Sequence, residues 1–297
     1  MTGVAGSPIG AERSPPGTLY AEGQPDGAPS PSPGAASLTI IQERFPFTLA
    51  TTSFIYPDDY GPNIQRLGPF LDEIELLLFE SGSLPSRHTI ADLADLSRTY
   101  EVGYNVHLPS DVSVGHADDR IREAAVGSIL RACERVSVLS PSTLTLHIPW
   151  EGPAGLPADL LPWKERVRES LVRLIAAVGS PASISVETLD YPLEWLAEVI
   201  DDLGLAVCMD VGHLLLQGRE LAEVMRRFAS RISILHLHGV AAGRDHLALD
   251  RLRPSAAEAV LKVLSGFKGI VSLEVFNFDD LAASLNWLEE RFMRAVE

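Results

Sequence analysis

Residues 184–187 read Ile184-Ser185-Val186-Glu187, and residues 271–274 repeat the pattern as Val271-Ser272-Leu273-Glu274. Successive side chains of a strand point to opposite faces, so each segment sets a hydroxyl and a carboxylate on one face and two aliphatics on the other. The same split recurs in Thr143-Leu144-Thr145-Leu146-His147 and in Asn105-Val106-His107. An aliphatic face suits packing against helices. A polar face that ends in an ionisable group suits the inside of a parallel barrel, with that group at the carboxyl rim where barrel enzymes keep their active sites.

Working outward from these segments, short β-prone runs alternate with runs of helical period from residue 45 onward. Eight strands are expected: Thr48–Thr52, Glu73–Leu78, Tyr104–His107, Thr143–His147, Ile184–Glu187, Ala206–Asp210, Ile232–His238 and Gly269–Glu274. Between them lie apolar stripes at helical spacing: Leu93/Leu96/Tyr100, Ile121/Ala125/Ile129/Ala132, Val167/Leu171/Leu174/Val178 and Leu281/Leu285/Leu288/Phe292. Asp118, and Asn277 or Asp279, stand where a helix start needs an acceptor for its free N–H groups. Eight strands each followed by a helix require parallel pairing through crossovers. The fold class is therefore α/β, a (β/α)8 TIM barrel; a doubly wound open sheet usually has fewer units.

The chain has 297 residues, and its first 34 hold seven glycines and seven prolines. Such a segment buries too little apolar surface to offset its chain entropy. Residues 1–40 are thus expected to be a disordered leader and residues 41–297 a single barrel. The leader lacks the basic start and apolar segment of a secretory signal. No window approaches 18 uninterrupted apolar residues, which argues against a membrane span. Two cysteines, Cys133 and Cys208, make no disulfide framework and fit a reducing, cytoplasmic setting. A net charge of -16 disfavours nucleic acid as the partner, since a protein that works by neutralising phosphate backbones needs the opposite balance, though it leaves room for a local basic cleft. The expected substrate is a small molecule.

The groups expected at the rim are Glu75, His107, His147, Glu187, Asp210, His236 and Glu274, followed by His213, His238 and His246. A lone strand-end histidine is usually structural. Six at one rim, together with several carboxylates, would be costly to bury without a divalent cation. Imidazole and carboxylate donors suit zinc, manganese, iron or cobalt better than calcium. Tyr56, Trp150, Tyr191 and Phe276 flank the rim, where they could pack loops or stack on a flat ligand; Cys208 faces inward as a small core residue. His88 and His116 read as exposed and idle.

With these residues in place, the chain resembles the xylose-isomerase-like, AP endonuclease family 2 barrels. The matching features are His107-Leu108-Pro109, His147, Val186-Glu187-Thr188, Asp210-Val211-Gly212-His213, His236-Leu237-His238 and Glu274. The stretches Thr51–Pro57, Phe79-Glu80-Ser81-Gly82, Val186–Pro192 and Gly212-His213-Leu214-Leu215 are most similar to the cobamide-remodelling phosphodiesterases called CbiR. The endonuclease branch of the resemblance implies one ion on His107, His147 and Glu187, and a second on Glu187, Asp210, His236 and Glu274. It implies a third ion on His213 and His246, although that branch's Asp-x-His is Arg244-Asp245-His246 here, with the aspartate shifted by one residue. Glu187, Glu274 and His213 are the implied catalytic groups, and Glu75, Tyr191, His238 and Arg244 the expected substrate contacts.

The CbiR resemblance implies a metal-dependent phosphodiesterase that cuts the nucleotide loop of cobamides, releasing cobinamide phosphate and an α-riboside. Two rivals share the ligands: a single-metal sugar isomerase or epimerase using Glu187, Asp210, His236 and Glu274, and an abasic-site endonuclease. A third is a non-catalytic corrinoid binder. Because the leader offers no apolar anchor, deleting residues 1–38 is expected to leave turnover and melting temperature nearly unchanged. Loss of several degrees in a thermal melt would show that the leader packs on the barrel.

Overall fold

The computed structural model describes residues 41–152 and 159–293; the expected leader lies outside the described residues. Ten strands are present among them: β1 (Thr48–Thr52), β2 (Glu73–Leu77), β3 (Gly103–His107), β4 (Leu144–Leu146), β5 (Ile184–Glu187), β6 (Ala206–Asp210), β7 (Ile232–Leu237), β8 (Gly239–Ala241), β9 (Arg244–Leu247) and β10 (Ile270–Leu273). Eight of them close in the order β1-β10-β7-β6-β5-β4-β3-β2, and every neighbouring pair is parallel. This is the barrel that the alternating segments predict.

Helices α1 (Tyr60–Leu67), α2 (Arg87–Tyr100), α3 (Asp119–Val136), α4 (Leu160–Val178) and α5 (Ala197–Leu203) follow the first five strands. Then come α6 (Val211–Leu216), α7 (Leu221–Phe228), α8 (Pro254–Leu264) and α9 (Phe278–Trp287). The caps act as the sequence predicts. The Asp118 carboxylate accepts the Arg120 and Ile121 N–H groups, and Asn277 Oδ1 accepts that of Asp280. The apolar stripes are largely buried against the outside of the barrel. Ile121 departs from this pattern: at 48% exposed it sits in the first turn of α3, over an open cavity that it lines with Ser113, His116 and Pro149.

Inside the barrel the alternation holds. Ala50, Cys208, Ile234 and Ile270, from β1, β6, β7 and β10, form a small buried apolar layer separate from the main core. A chain of hydroxyls crosses the interior from Thr143 Oγ1 to Ser185 Oγ to Ser233 Oγ, with 2.6 Å at each step. The hairpin β8–β9 is not foreseen from the sequence. Ala242 and Gly243, at φ 52° and 74°, turn the chain between β8 and β9, and the two short strands pair antiparallel. The pattern is too short and too polar to register as strands.

Where β10 begins, Gly269 lies against β7: a Cβ there would stand 2.3 Å from the Ser233 carbonyl oxygen and 2.6 Å from the Phe267 ring. Backbone cannot retreat as a flexible side chain can, so Gly269→Ala is expected to lower the melting temperature by about 3–10 °C, the range for an overpacked site in a domain of this size. A thermal melt checks this. An unchanged midpoint would mean that the start of β10 shifts freely.

Candidate metal centre

Strands β3, β4 and β5 deliver the first group. His107 and Glu187 end their strands, and His147 follows β4 by one residue. His107 Nε2 lies 3.2 Å from His147 Nε2 and 3.2 Å from Glu187 Oε2, and His147 Nε2 lies 2.8 Å from the same oxygen. His107 Nδ1 is 2.9 Å from the Leu108 carbonyl and donates to it, so in the neutral ring Nε2 is the nitrogen left with a lone pair for a cation. Lone-pair donors from three strands thus converge on one point, the arrangement a divalent cation requires. Without an ion, burial disfavours the charged imidazole of His107, but Glu187 outweighs burial and lifts its pKa to about 9. Burial likewise opposes the charge of Glu187, while His147, His236 and His107 hold its pKa well below the ordinary value.

A second group shares Glu187. His236 Nδ1 stands 3.3 Å from Glu187 Oε1 and 3.6 Å from Glu274 Oε2. Asp210, His236 and Glu274 offer donor atoms that all lie within 4.8 Å of one another. His236 Nδ1, Asp210 Oδ2 and Glu274 Oε2 are buried and make no aligned hydrogen bond, although charged neighbours stand within 4 Å. Buried polar atoms are normally satisfied. A pair of nitrogen- and oxygen-ligated cations would satisfy these, so the donor set fits the divalent transition metals expected from the sequence.

The third group closes over the other two. Asp210 caps α6, taking the His213 N–H at 2.7 Å, and its second oxygen lies 2.7 Å from His213 Nδ1. His246 Nε2 stands 3.5 Å from Glu274 Oε2. The shifted aspartate does reach the group: Asp245 lies 3.5 Å from His213 Nε2 and 3.2 Å from His246 Nδ1. Next to it in the hairpin β8–β9, His246 adopts φ 51°, a left-handed conformation uncommon outside glycine. Burial works against protonation of His213, but Asp210 raises its pKa to about 9.

Several expected substrate contacts have other surroundings. Glu75 is fully buried beneath the second group, 2.9 Å from His236 Nε2, and accepts the Ser272 hydroxyl at 2.5 Å. Its contact leaves His236 Nδ1 facing Glu187 and Glu274. His238 is also fully buried: its Nδ1 accepts the His246 N–H, so Nε2 carries the proton and faces Asp210 Oδ1 at 3.2 Å. Its ring lies so close to Gly212 that a Cβ there would fall 2.1–2.4 Å from three ring atoms. Tyr191 is buried, stacks on Trp195, and donates its hydroxyl to the Ile148 carbonyl. Trp150 packs edge-on against Trp163 and Trp195. Tyr56 stacks on Phe278 under Arg66. Arg244 is exposed at the start of β9. His88 is exposed as expected. His116 is not idle, since it accepts the Asp118 N–H and lies 3.4 Å from Glu151.

Sequence reasoning missed two residues. Asp245 stands at an unexpected register, and only the hairpin reveals it. The Cys208 thiol offers a donor atom within 4.8 Å of those of Glu187 and His236, and burial pushes its pKa well up.

Residues 64–291 match the profile of the family described as xylose isomerase-like TIM barrel. A crystal structure titled D-tagatose 3-epimerase-like protein aligns with TM-score 0.69 and 21% identity, covering 84% of this chain and 98% of its own. The 3-keto-D-glucoside 4-epimerase YcjR from E. coli aligns with TM-score 0.63 and 15% identity, over 82% and 99%. The IOLI protein with a bound zinc atom aligns with TM-score 0.60 and 16% identity, over 84% and 99%. At these identities the likenesses show the fold. Comparison with curated proteins finds no match.

Glu187→Gln weakens the carboxylate that both buried groups share, whereas His238→Ala removes a support of Asp210 and of the hairpin at His246 and leaves both buried groups intact. Elemental analysis of protein purified without chelator is therefore expected to find metal nearly lost in Glu187→Gln. His238→Ala should retain it with affinity weakened about 10–100-fold, as for partners that orient a ligand. Equal metal content in wild type and Glu187→Gln would overturn the shared-carboxylate arrangement.

Proposed function

We propose that this chain, which belongs to the xylose isomerase-like TIM barrels, is a metal-dependent phosphodiesterase that hydrolyses the nucleotide-loop phosphodiester of cobamides. The observation that carries this reading is the His107–His147–Glu187 group joined through Glu187 to a second donor group. A single-ion sugar epimerase needs only Glu187, Asp210, His236 and Glu274 and has no use for the two extra histidines. In the proposed reaction one water is consumed. Its oxygen bonds to phosphorus, the bond from phosphorus to the ribose oxygen breaks, and that oxygen leaves with a proton as the α-riboside. Cobinamide phosphate remains.

Divalent cations supply Lewis-acid charge stabilisation and bring water toward its nucleophilic form at neutral pH. The remaining work falls to the chain. His107 and His147 would hold one cation, Asp210, His236 and Glu274 a second, and the two oxygens of Glu187, facing different histidines, would span the pair. Glu75 and Ser272 fix the ring of His236. His238 fixes Asp210. His213, partly open to the rim, and Arg244 on the exposed hairpin supply positive charge toward a phosphate oxygen. A net charge of -16 weighs against the endonuclease alternative.

The second reading is a sugar isomerase or epimerase, favoured by the complete four-residue set at the rim. There Glu187 and Glu274 would move a proton between adjacent carbons. Incubating purified protein with adenosylcobalamin and manganese, zinc or cobalt, followed by mass spectrometry, separates the two. Cobinamide phosphate is expected, and Glu187→Gln should abolish its formation. Intact cobamide, together with solvent deuterium entering a ketohexose, would establish the epimerase instead.

A further inference from the structure

The carboxyl ends of β1, β2 and β10 carry a run of aromatic rings that the chemistry above does not use. Phe54 follows β1, Phe79 follows β2, and Phe276 lies two residues beyond Glu274. The ring centroids of Phe54 and Phe79 are 5.8 Å apart with the planes inclined by 25°; those of Phe79 and Phe276 are 6.4 Å apart with the planes tilted by 45°, and Phe276 lies 5.2 Å from the His246 ring, tilted by 44°. The back of Phe54 rests on Tyr60, whose hydroxyl is fixed to the Leu77 carbonyl. Phe79 is 48% exposed and Phe276 40%, whereas Phe45, Phe47, Phe228, Phe267 and Phe292 are all buried.

Other exposed apolar side chains, such as Val138 and Val172, occur singly and need no explanation. These rings adjoin one another and a histidine of the candidate metal centre. We infer that Phe54, Phe79 and Phe276 form a platform on which the flat conjugated macrocycle of the substrate stacks, an inference that rests on the cobamide reading. A pyranose covers about one ring and demands hydrogen-bond partners, which phenylalanines lack. Three adjoining rings, two of them open to solvent, offer apolar contact over the wider span that a macrocycle presents. Because Phe276 adjoins Glu274 and His246, a macrocycle seated there would swing its tethered phosphodiester over the metal-binding groups.

Cobinamide, which has the macrocycle but no nucleotide loop, separates stacking from cleavage. Equilibrium dialysis of cobinamide with the metal-loaded full chain is expected to show binding. Phe79→Ala and Phe276→Ala should each weaken it about 10-fold, the scale of one lost aromatic stack. Phe79→Leu, which keeps apolar bulk and guards against misfolding, should weaken it too, and Phe79→Trp should retain it. In turnover of adenosylcobalamin the Phe79 variants should raise KM and leave kcat within about twofold. If the wild type binds cobinamide and the alanine variants bind it equally, the platform is overturned while the phosphodiesterase reading stands. If the wild type neither binds cobinamide nor cleaves a cobamide, the reading itself falls and the platform with it.

Discussion

The buried carboxylate of Glu187 is the constraint on which the rest of the site depends. Its two oxygens face three imidazoles: Oε2 meets His107 and His147, and Oε1 meets His236. A carboxylate in that position is expensive to desolvate, and only partners held in fixed geometry compensate it. The four residues come from β3, from β5, from β7 and from just beyond β4. A closed barrel meets that demand because its register is set all the way round, so no strand can slide without taking its terminal group out of reach.

Below the rim the interior supports this geometry. Glu75, held by the Ser272 hydroxyl, grips the far side of His236, and β10 and β7 pair Ser272 with His236 in register. The hydroxyl chain from Thr143 to Ser233 and the small apolar layer around Cys208 fill the space beneath. The polar groups there are compensated mainly by one another, so removing any one leaves its neighbour unsatisfied in a low-dielectric interior.

The hairpin β8–β9 adds a different element. It is short, partly exposed, and turns on two residues of positive φ, yet it brings Asp245 and His246 over Asp210 and Glu274. Strained backbone of this kind persists only where surrounding contacts hold it. Here the stacked ring of His238, 4.3 Å from that of His246, and the bond from the His246 N–H to His238 supply the hold. The hairpin therefore couples the end of β7 to the top of the site.

The sequence by itself determined the eight barrel strands nearly to the residue, the caps of α3 and α9, and the identity of the groups at the rim. The strands and their terminal groups follow from a period of two along each strand, and the caps from an acceptor side chain at each helix start; both signals are local and survive without knowledge of neighbours. Only the tertiary structure decided the work of each group. Glu75 and His238 alternate inward like true donors, yet the register of adjacent strands turns them into supports for His236 and Asp210. Asp245 looks misplaced by one residue in the sequence, yet on the hairpin it lies 3.5 Å from His213. Tyr191, Tyr56 and Trp150 look like rim aromatics in one dimension; packing buries Tyr191 and half-buries the other two, while Phe79 and Phe276 stay open. Which nitrogen of a histidine faces which carboxylate depends on distances between strands far apart in sequence, and no periodicity within one strand encodes that.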